Sequence, residues 1–184
     1  MTLTPTPGQT VGPFFGYALP YPRDNELVPQ SHRDAIRLRG TVYDGAGEPV
    51  PDALLEIWQA DQGGHVPKTG GSLHRDGYTF TGFGRSATDA RGAYSFTTVR
   101  PGPAHPGAAP FIAITVFARG LTNRLFTRAY LPGDESALEA DVVLQSLTQD
   151  RRQTLVAAQD AHGYLFDVRL QGDDETVFLQ FPGA

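Results

Sequence analysis

The sequence predicts an all-β fold, an antiparallel β-sandwich with an extended N-terminal arm and long loops. Two observations lead to it. Apolar and polar residues alternate over short runs, which is the period of a strand buried on one face. Turn-forming clusters of Gly, Pro, Asp and Asn separate those runs at close intervals, the pattern of a sandwich or barrel. Gly and Pro supply 21 and 15 of the 184 residues, a composition that favours turns over helices. The length is enough for one hydrophobic core and a tight fit for two.

Residues 1–35 are rich in Pro, Gly and polar side chains and form the expected arm, with 36–184 as the sandwich. Phe14, Phe15 and Tyr17 lie in a segment too proline-rich to build its own core. They are expected on an apolar face wider than a monomer usually shows. Regular structure begins near Ile36, where Ile36 to Tyr43 alternates. Asp44 to Gly47 carries turn chemistry. Ala53 to Gln59 is the next strand, with Leu55, Ile57 and Gln59 opposite Leu54, Glu56 and Trp58. Gln62 to Gly84 has weak periodicity and many glycines, and reads as one long loop of the kind that often carries function. Ala93 to Val99 is a short strand, and Arg100 to Pro110 a second loop. Phe111 to Phe117 is apolar almost throughout, as a strand buried on both faces would be. Leu125 to Leu131 follows as a strand. Val142 to Leu147 is ambiguous. Thr154 to Gln159 fits helix or strand, and the Asp160 to Gly163 turn favours a hairpin with Tyr164 to Leu170. Thr176 to Phe181 is expected to close the fold.

The formal net charge is −5, and Lys and Arg are scattered. There is no electrostatic footprint for nucleic acid or an anionic membrane. Cys is absent, which excludes a disulfide framework and a thiolate metal site. Without a signal-peptide pattern or a long apolar run, a soluble cytoplasmic protein is expected.

The residues offer little chemistry on their own. The five histidines His32, His65, His74, His105 and His162 include no pair at i, i+2 or i, i+4, the spacings that set two imidazoles on one face. His65 and His74 share a loop, and loop histidines facing solvent are the favoured reading. No nucleophile elbow and no phosphate-cradling Gly loop is present. Glu56 and Asp61 flank Trp58, either as an acid/base pair or, in the favoured reading, as polar residues of a strand end. Trp58 reads as a core or interface anchor. Asp173, Asp174 and Glu175 read as a solvated turn.

Three stretches go further. The first runs from Leu38-Arg39-Gly40-Thr41-Val42-Tyr43-Asp44 through Gly47 to Ala53, then Glu56-Ile57-Trp58-Gln59-Ala60-Asp61. The second holds Gly84-Arg85, Thr88-Asp89, Gly92, Tyr94-Ser95-Phe96, Thr98 and Pro101-Gly102-Pro103. Together they resemble the body of the intradiol dioxygenases, which cleave catechol rings between the two hydroxylated carbons using ferric iron. The third joins Gln9-Thr10-Val11-Gly12-Pro13-Phe14, Phe117 to Leu121, Thr127 to Leu131, Tyr164 to Gly172 and Glu175 to Phe178. It resembles the metal-free alpha-type subunits of that family. The resemblance covers roughly Thr6 to Phe181.

It implies that at least three of the family's four iron ligands, two Tyr and two His, are missing here. Ala104 stands where the second Tyr ligand follows Pro-Gly-Pro, and Phe111 and Ala113 stand where the two His belong. Tyr78 is the only tyrosine in the loop that carries the first. His105 beside Ala104 would be an unpaired ligand. The resemblance further implies that Fe(III) is held by a beta-type partner subunit and none by this chain. It implies alpha–beta pairs gathered in a larger oligomer, with an aromatic substrate near their interface. Thr10, Gly12, Pro13 and Phe14 of the arm are then expected to line the substrate pocket, and Arg128 to offer a cation to a substrate carboxylate. No catalytic residue and no metal ligand is expected on this chain. The rival reading is a non-enzymatic, transthyretin-like β-sandwich module. It accounts for the fold but not for the arm motif. A third, an iron enzyme with other ligands, would have His65, His74 and Tyr78 to draw on.

Overall fold

The computed structural model describes residues 9–12, 15–68 and 75–181. Pro13, Phe14 and His74 lie outside them. Two sheets face each other. One has the order β4-β1-β8-β7 with β9 also on β1, and the other the order β3-β2-β5-β6. The strands are β1 (Ala35–Tyr43), β2 (Leu54–Gln59), β3 (Phe83–Ala87), β4 (Ala93–Val99), β5 (Phe111–Phe117), β6 (Leu125–Tyr130), β7 (Ala158–Asp160), β8 (Gly163–Leu165) and β9 (Val168–Arg169). The short helices are α1 (Phe15–Ala18), α2 (Glu135–Ala140), α3 (Val142–Gln145) and α4 (Gln149–Gln153).

Pairing is mostly antiparallel, and the two parallel strand pairs both involve β1. β1 pairs in parallel with β8 at Leu38↔Tyr164 and then with β9 at Val42↔Val168. The core lies between the sheets. Leu38, Val42, Phe96, Phe166 and Val168 meet Leu55, Ile57, Ile112, Ile114 and Val116, all at most 2% exposed. A smaller cluster of Tyr130, Leu138, Leu144 and Leu155 seats the helices.

The residues of the recognised motifs largely hold this frame together. Thr88 Oγ1 accepts from the Ala53 amide at 2.9 Å and donates to the Val50 carbonyl at 2.8 Å, latching the 49–53 connection. Asp89 accepts from the amides of Arg91 and Ala93 and closes the turn into β4. Buried Gln59 ties the sheets together. Its Nε2 donates to the Val99 and Ala60 carbonyls, and its Oε1 accepts from Thr98 at 2.8 Å.

Several expectations need correction. The 62–84 loop ends in a strand, since Phe83 and Gly84 pair with Trp58 and Ile57. The ambiguous 142–147 stretch is helical, capped by Asp141, whose carboxylate accepts from the Val143 and Leu144 amides. Thr176 to Phe181 is not a closing strand and makes a single bridge, Leu179↔Phe126. The arm is not extended throughout, because it turns once at Phe15–Ala18. Phe15 is buried at 7% exposure rather than set on an apolar outer face. β5 is buried on one face only. Ile112, Ile114 and Val116 point inward, and Phe111, Ala113, Thr115 and Phe117 are half-covered on the other side.

Candidate functional site

The outer face of the β3-β2-β5-β6 sheet carries the unusual chemistry. Strand register sets its residues in rows. Phe83 pairs with Trp58, Trp58 with Ala113, and Ala113 with Arg128. One row further, Arg85 pairs with Glu56, Glu56 with Thr115, and Thr115 with Phe126. Trp58 is 52% exposed, so it is a surface anchor and not a core residue. Phe181, also exposed, packs edge-on against Phe126 with ring centroids 5.3 Å apart. An apolar groove runs between Trp58, Ala113, Arg128 and Phe126. An open aromatic face of this kind marks a contact surface.

Arg128 is held in place on this face. Its guanidinium lies 4.0 Å from the centre of the Phe111 ring, a cation–π contact. Its Nη1 donates to the Tyr130 hydroxyl at 3.1 Å, which in turn donates to Asp141 Oδ1 at 2.9 Å. Burial raises the Tyr130 phenol to about 12, although the Arg128 charge pulls the other way. The hydroxyl stays protonated and passes the Asp141 charge toward Arg128. Sequence reasoning marked Arg128 but missed Tyr130 and Asp141. The i, i+2 spacing of Arg128 and Tyr130 on one strand was the available signal.

The candidate metal residues do not converge. Ala104, Phe111 and Ala113 do line one cavity together with Trp58, and none of them carries a donor atom. Tyr78 is 97% exposed and lies along a different groove, beside Pro29 and Arg75. His65 sits by Asp61, 3.4 Å from its carboxylate, with a side chain 86% exposed. His105 is exposed. Among the described residues no group of three or more His, Cys, Asp or Glu could hold a metal ion. Among the described residues, none of Tyr78, His65 and His105 lines the cavity of Ala104, Phe111 and Ala113, so these donors do not fit ferric iron there. Glu56 and Asp61 form no acid/base pair. Glu56 is bound to Arg85 at 2.5 Å, and Asp61 caps its own turn by accepting from the Gly63 and His65 amides.

Of the expected pocket-lining residues, Thr10 is exposed, and Gly12 is half-buried with φ +74° and open space where a Cβ would stand. Pro13 and Phe14 lie outside the described residues. Residues 19–28 are seated firmly. Arg85 Nη1 donates to the Leu19 carbonyl at 2.8 Å, and Arg75 Nη2 donates to the Asp24 and Phe83 carbonyls. The Leu27 amide donates to the Thr97 carbonyl at 2.8 Å. No helix among the described residues is long and apolar enough to cross a membrane.

Comparison with known proteins accords with this geometry. A family model described as "Dioxygenase" matches residues 11–172. The protocatechuate 3,4-dioxygenase alpha chain of Burkholderia cepacia is 41% identical, over 97% of this chain and 98% of its own length. The beta chain of the same enzyme from that organism is 32% identical, over 84% of this chain and 74% of its own. Among solved structures, the dioxygenase domain of a carbohydrate-binding fusion protein from Streptomyces sp. SirexAA-E superposes with a TM-score of 0.57 at 26% identity, covering 92% of this chain and 99% of that one. On the family match and the near full-length identity to these relatives, the chain belongs to the intradiol dioxygenase family.

Proposed function

We propose that this chain is the metal-free alpha subunit of a protocatechuate 3,4-dioxygenase. Its partner is an iron-bearing beta subunit, and the pair uses O₂ to open 3,4-dihydroxybenzoate to 3-carboxy-cis,cis-muconate. One observation carries the reading. Ala104, Phe111 and Ala113 meet at one cavity, where the resemblance sets three iron ligands, and they offer no donor. The near full-length identity to an alpha chain supports it. When held by the partner, Fe(III) would activate the ring diol toward O₂, which is the oxidant. This chain's contribution is to bind, to orient and to exclude water.

Two parts of the chain suit that contribution. The Phe83–Trp58–Ala113–Arg128 row is an apolar surface that a homologous subunit could cover, with pairs then gathering into a larger oligomer. The arm supplies substrate contacts in the pair through Thr10, Gly12, Pro13 and Phe14. Gly12 allows close backbone approach to a ring, and Pro13 fixes φ. Arg128 is oriented by Tyr130 and Phe111 and can face a carboxylate.

The test is co-expression with the iron-bearing homologous chain, followed by the mass, iron content and visible spectrum of the complex. A coloured, iron-containing hetero-oligomer and a colourless isolated chain are expected. Stoichiometric iron and oxygen uptake by the isolated chain would overturn the subunit assignment.

A further inference from the structure

We propose that the cavity between Trp58 and the 102–109 loop is a binding site for a small, uncharged arene. The void follows from the register. Ala113 is the cross-strand neighbour of Trp58, and Phe111 precedes it by two residues on the same face of β5. A single methyl group between two aromatic side chains leaves a slot. The rest of the lining is mostly small, with Gly102, Ala104 and Ala109 beside the half-exposed Val66. The cavity measures about 230 Å³. That is more than the ~150 Å³ that admits benzene and less than the ~300 Å³ at which drug-sized sites begin. It has room for one substituted ring and none for a partner's strand or helix.

The loop wall of this open pocket is braced. The Gly102 amide donates to the Asp61 carbonyl at 2.7 Å. A Cβ on Gly102 would lie 2.4 Å from the Gln62 carbonyl oxygen, and one on Gly64 would lie 2.1 Å from that of Pro103. The two loops therefore touch backbone to backbone, with β2 and β5 fixed beneath them. A rigid void leaves its lining atoms without dispersion partners, and a fitting guest restores them.

The lining also selects against charge. Its polar side chains are Gln59, already engaged at both ends by Val99, Ala60 and Thr98, and Trp58 with its indole N–H, and neither is charged. An anionic guest would give up more hydration than these uncharged groups return. The rings of Trp58 and Phe111 favour a flat guest.

The experiment titrates p-xylene into the full-length chain. It reads emission from Trp58, the single tryptophan of the sequence, together with calorimetric heat. A saturable response is expected below the solubility limit of p-xylene. Ala104→Leu and Ala113→Leu fill the cavity from opposite walls, and each should weaken binding by about tenfold or more while unfolding as cooperatively as the parent. Benzoate, the same ring with a carboxylate, should bind at least about tenfold more weakly than p-xylene. The proposal fails if p-xylene shows no saturation, if a folded Leu variant binds it as well as the parent does, or if benzoate binds as tightly. Should one variant not fold, the other and the benzoate comparison still decide.

Discussion

Replacing Tyr130 by Phe removes one hydroxyl from the Arg128–Tyr130–Asp141 chain and leaves the ring in its fully buried place. The hydroxyl donates to Asp141 Oδ1 at 2.9 Å and accepts from Arg128 Nη1 at 3.1 Å. Hydrogen bonds to charged groups contribute about 1.5–3 kcal/mol. Asp141 keeps the amides of Val143 and Leu144, and Arg128 keeps the Phe111 face, so the net cost near neutral pH should be about 1–2 kcal/mol. For a chain of this size that lowers Tm by about 3–6 °C. The pH dependence is the sharper test. Burial raises the Tyr130 phenol to about 12, against about 10 when the chain is unfolded. Between those values the unfolded state has released a proton that the folded state keeps, so stability falls as pH rises. The loss amounts to about 2–3 kcal/mol across the window. The Phe variant has no phenol to titrate at this position. Tyr94 and Tyr21, both raised first by burial, are present in each protein and cancel in the difference. Urea unfolding followed by circular dichroism should show the parent more stable at pH 8, the gap closing near pH 11 and reversing near pH 12. A gap that stays constant with pH, or a more stable variant at pH 8, would refute the reasoning.

Arg85→Ala should destabilise the fold by about 2–3 kcal/mol, because it strands the half-buried Glu56 carboxylate and releases the Leu19 carbonyl. Limited proteolysis should then cut near Tyr21–Arg23 much faster than in the parent, and an unchanged cleavage rate would show that Arg85 does not seat this segment. The triple variant Ala104→Tyr, Phe111→His, Ala113→His should still take up no stoichiometric iron, since donors without a supporting shell are too loosely placed. Metal analysis and the visible spectrum after incubation with ferrous iron in air check this. In the proposed pair, Gly12→Val at φ +74° should raise KM by about tenfold, as a β-branched residue there costs about 1–3 kcal/mol in strain. Colour and iron content should not change, and an unaltered KM would remove the arm from the pocket.

Much of this architecture was legible in the sequence, for reasons specific to particular residues. The alternation of Ile36 to Tyr43 and the turn before Ala93 to Val99 marked the pair β1–β4, which is in register from Ala35↔Val99 to Thr41↔Ala93. β3 escaped because Phe83-Gly84-Arg85-Ser86-Ala87 has no apolar alternation. Its buried positions are Gly84 and Ser86, which carry no apolar signal. The helices after β6 escaped because each is too short to show a period of 3.6 residues. β5 misled in the opposite direction. Phe111 and Phe117 suggested burial on both faces, when the outer face is covered only in part. At the candidate site, the residues themselves marked Trp58 and the family resemblance marked Arg128, but neither showed that Ala113 lies between them. That juxtaposition depends on pairing among three strands far apart in sequence.

The three positions without donors bear on how such a chain can be stable. Ala104, Phe111 and Ala113 are all only half-buried, on a loop and on the outer face of β5. None belongs to the fully buried layer between the sheets. The residues that latch the frame are different ones. Thr88 holds the 49–53 connection, Gln59 joins β2 to β4, and Asp89 closes the turn before β4. A metal centre built on the outer positions would draw its stability from this frame and return little to it. Losing the donors therefore costs the fold little, while losing the latches would cost a great deal. In the proposed reading, that separation lets a chain match its family along nearly its whole length without ligands at these three positions. The same separation leaves the outer face of β5 only half-covered, because Phe111 and Ala113 stand outside the layer that Ile112, Ile114 and Val116 fill.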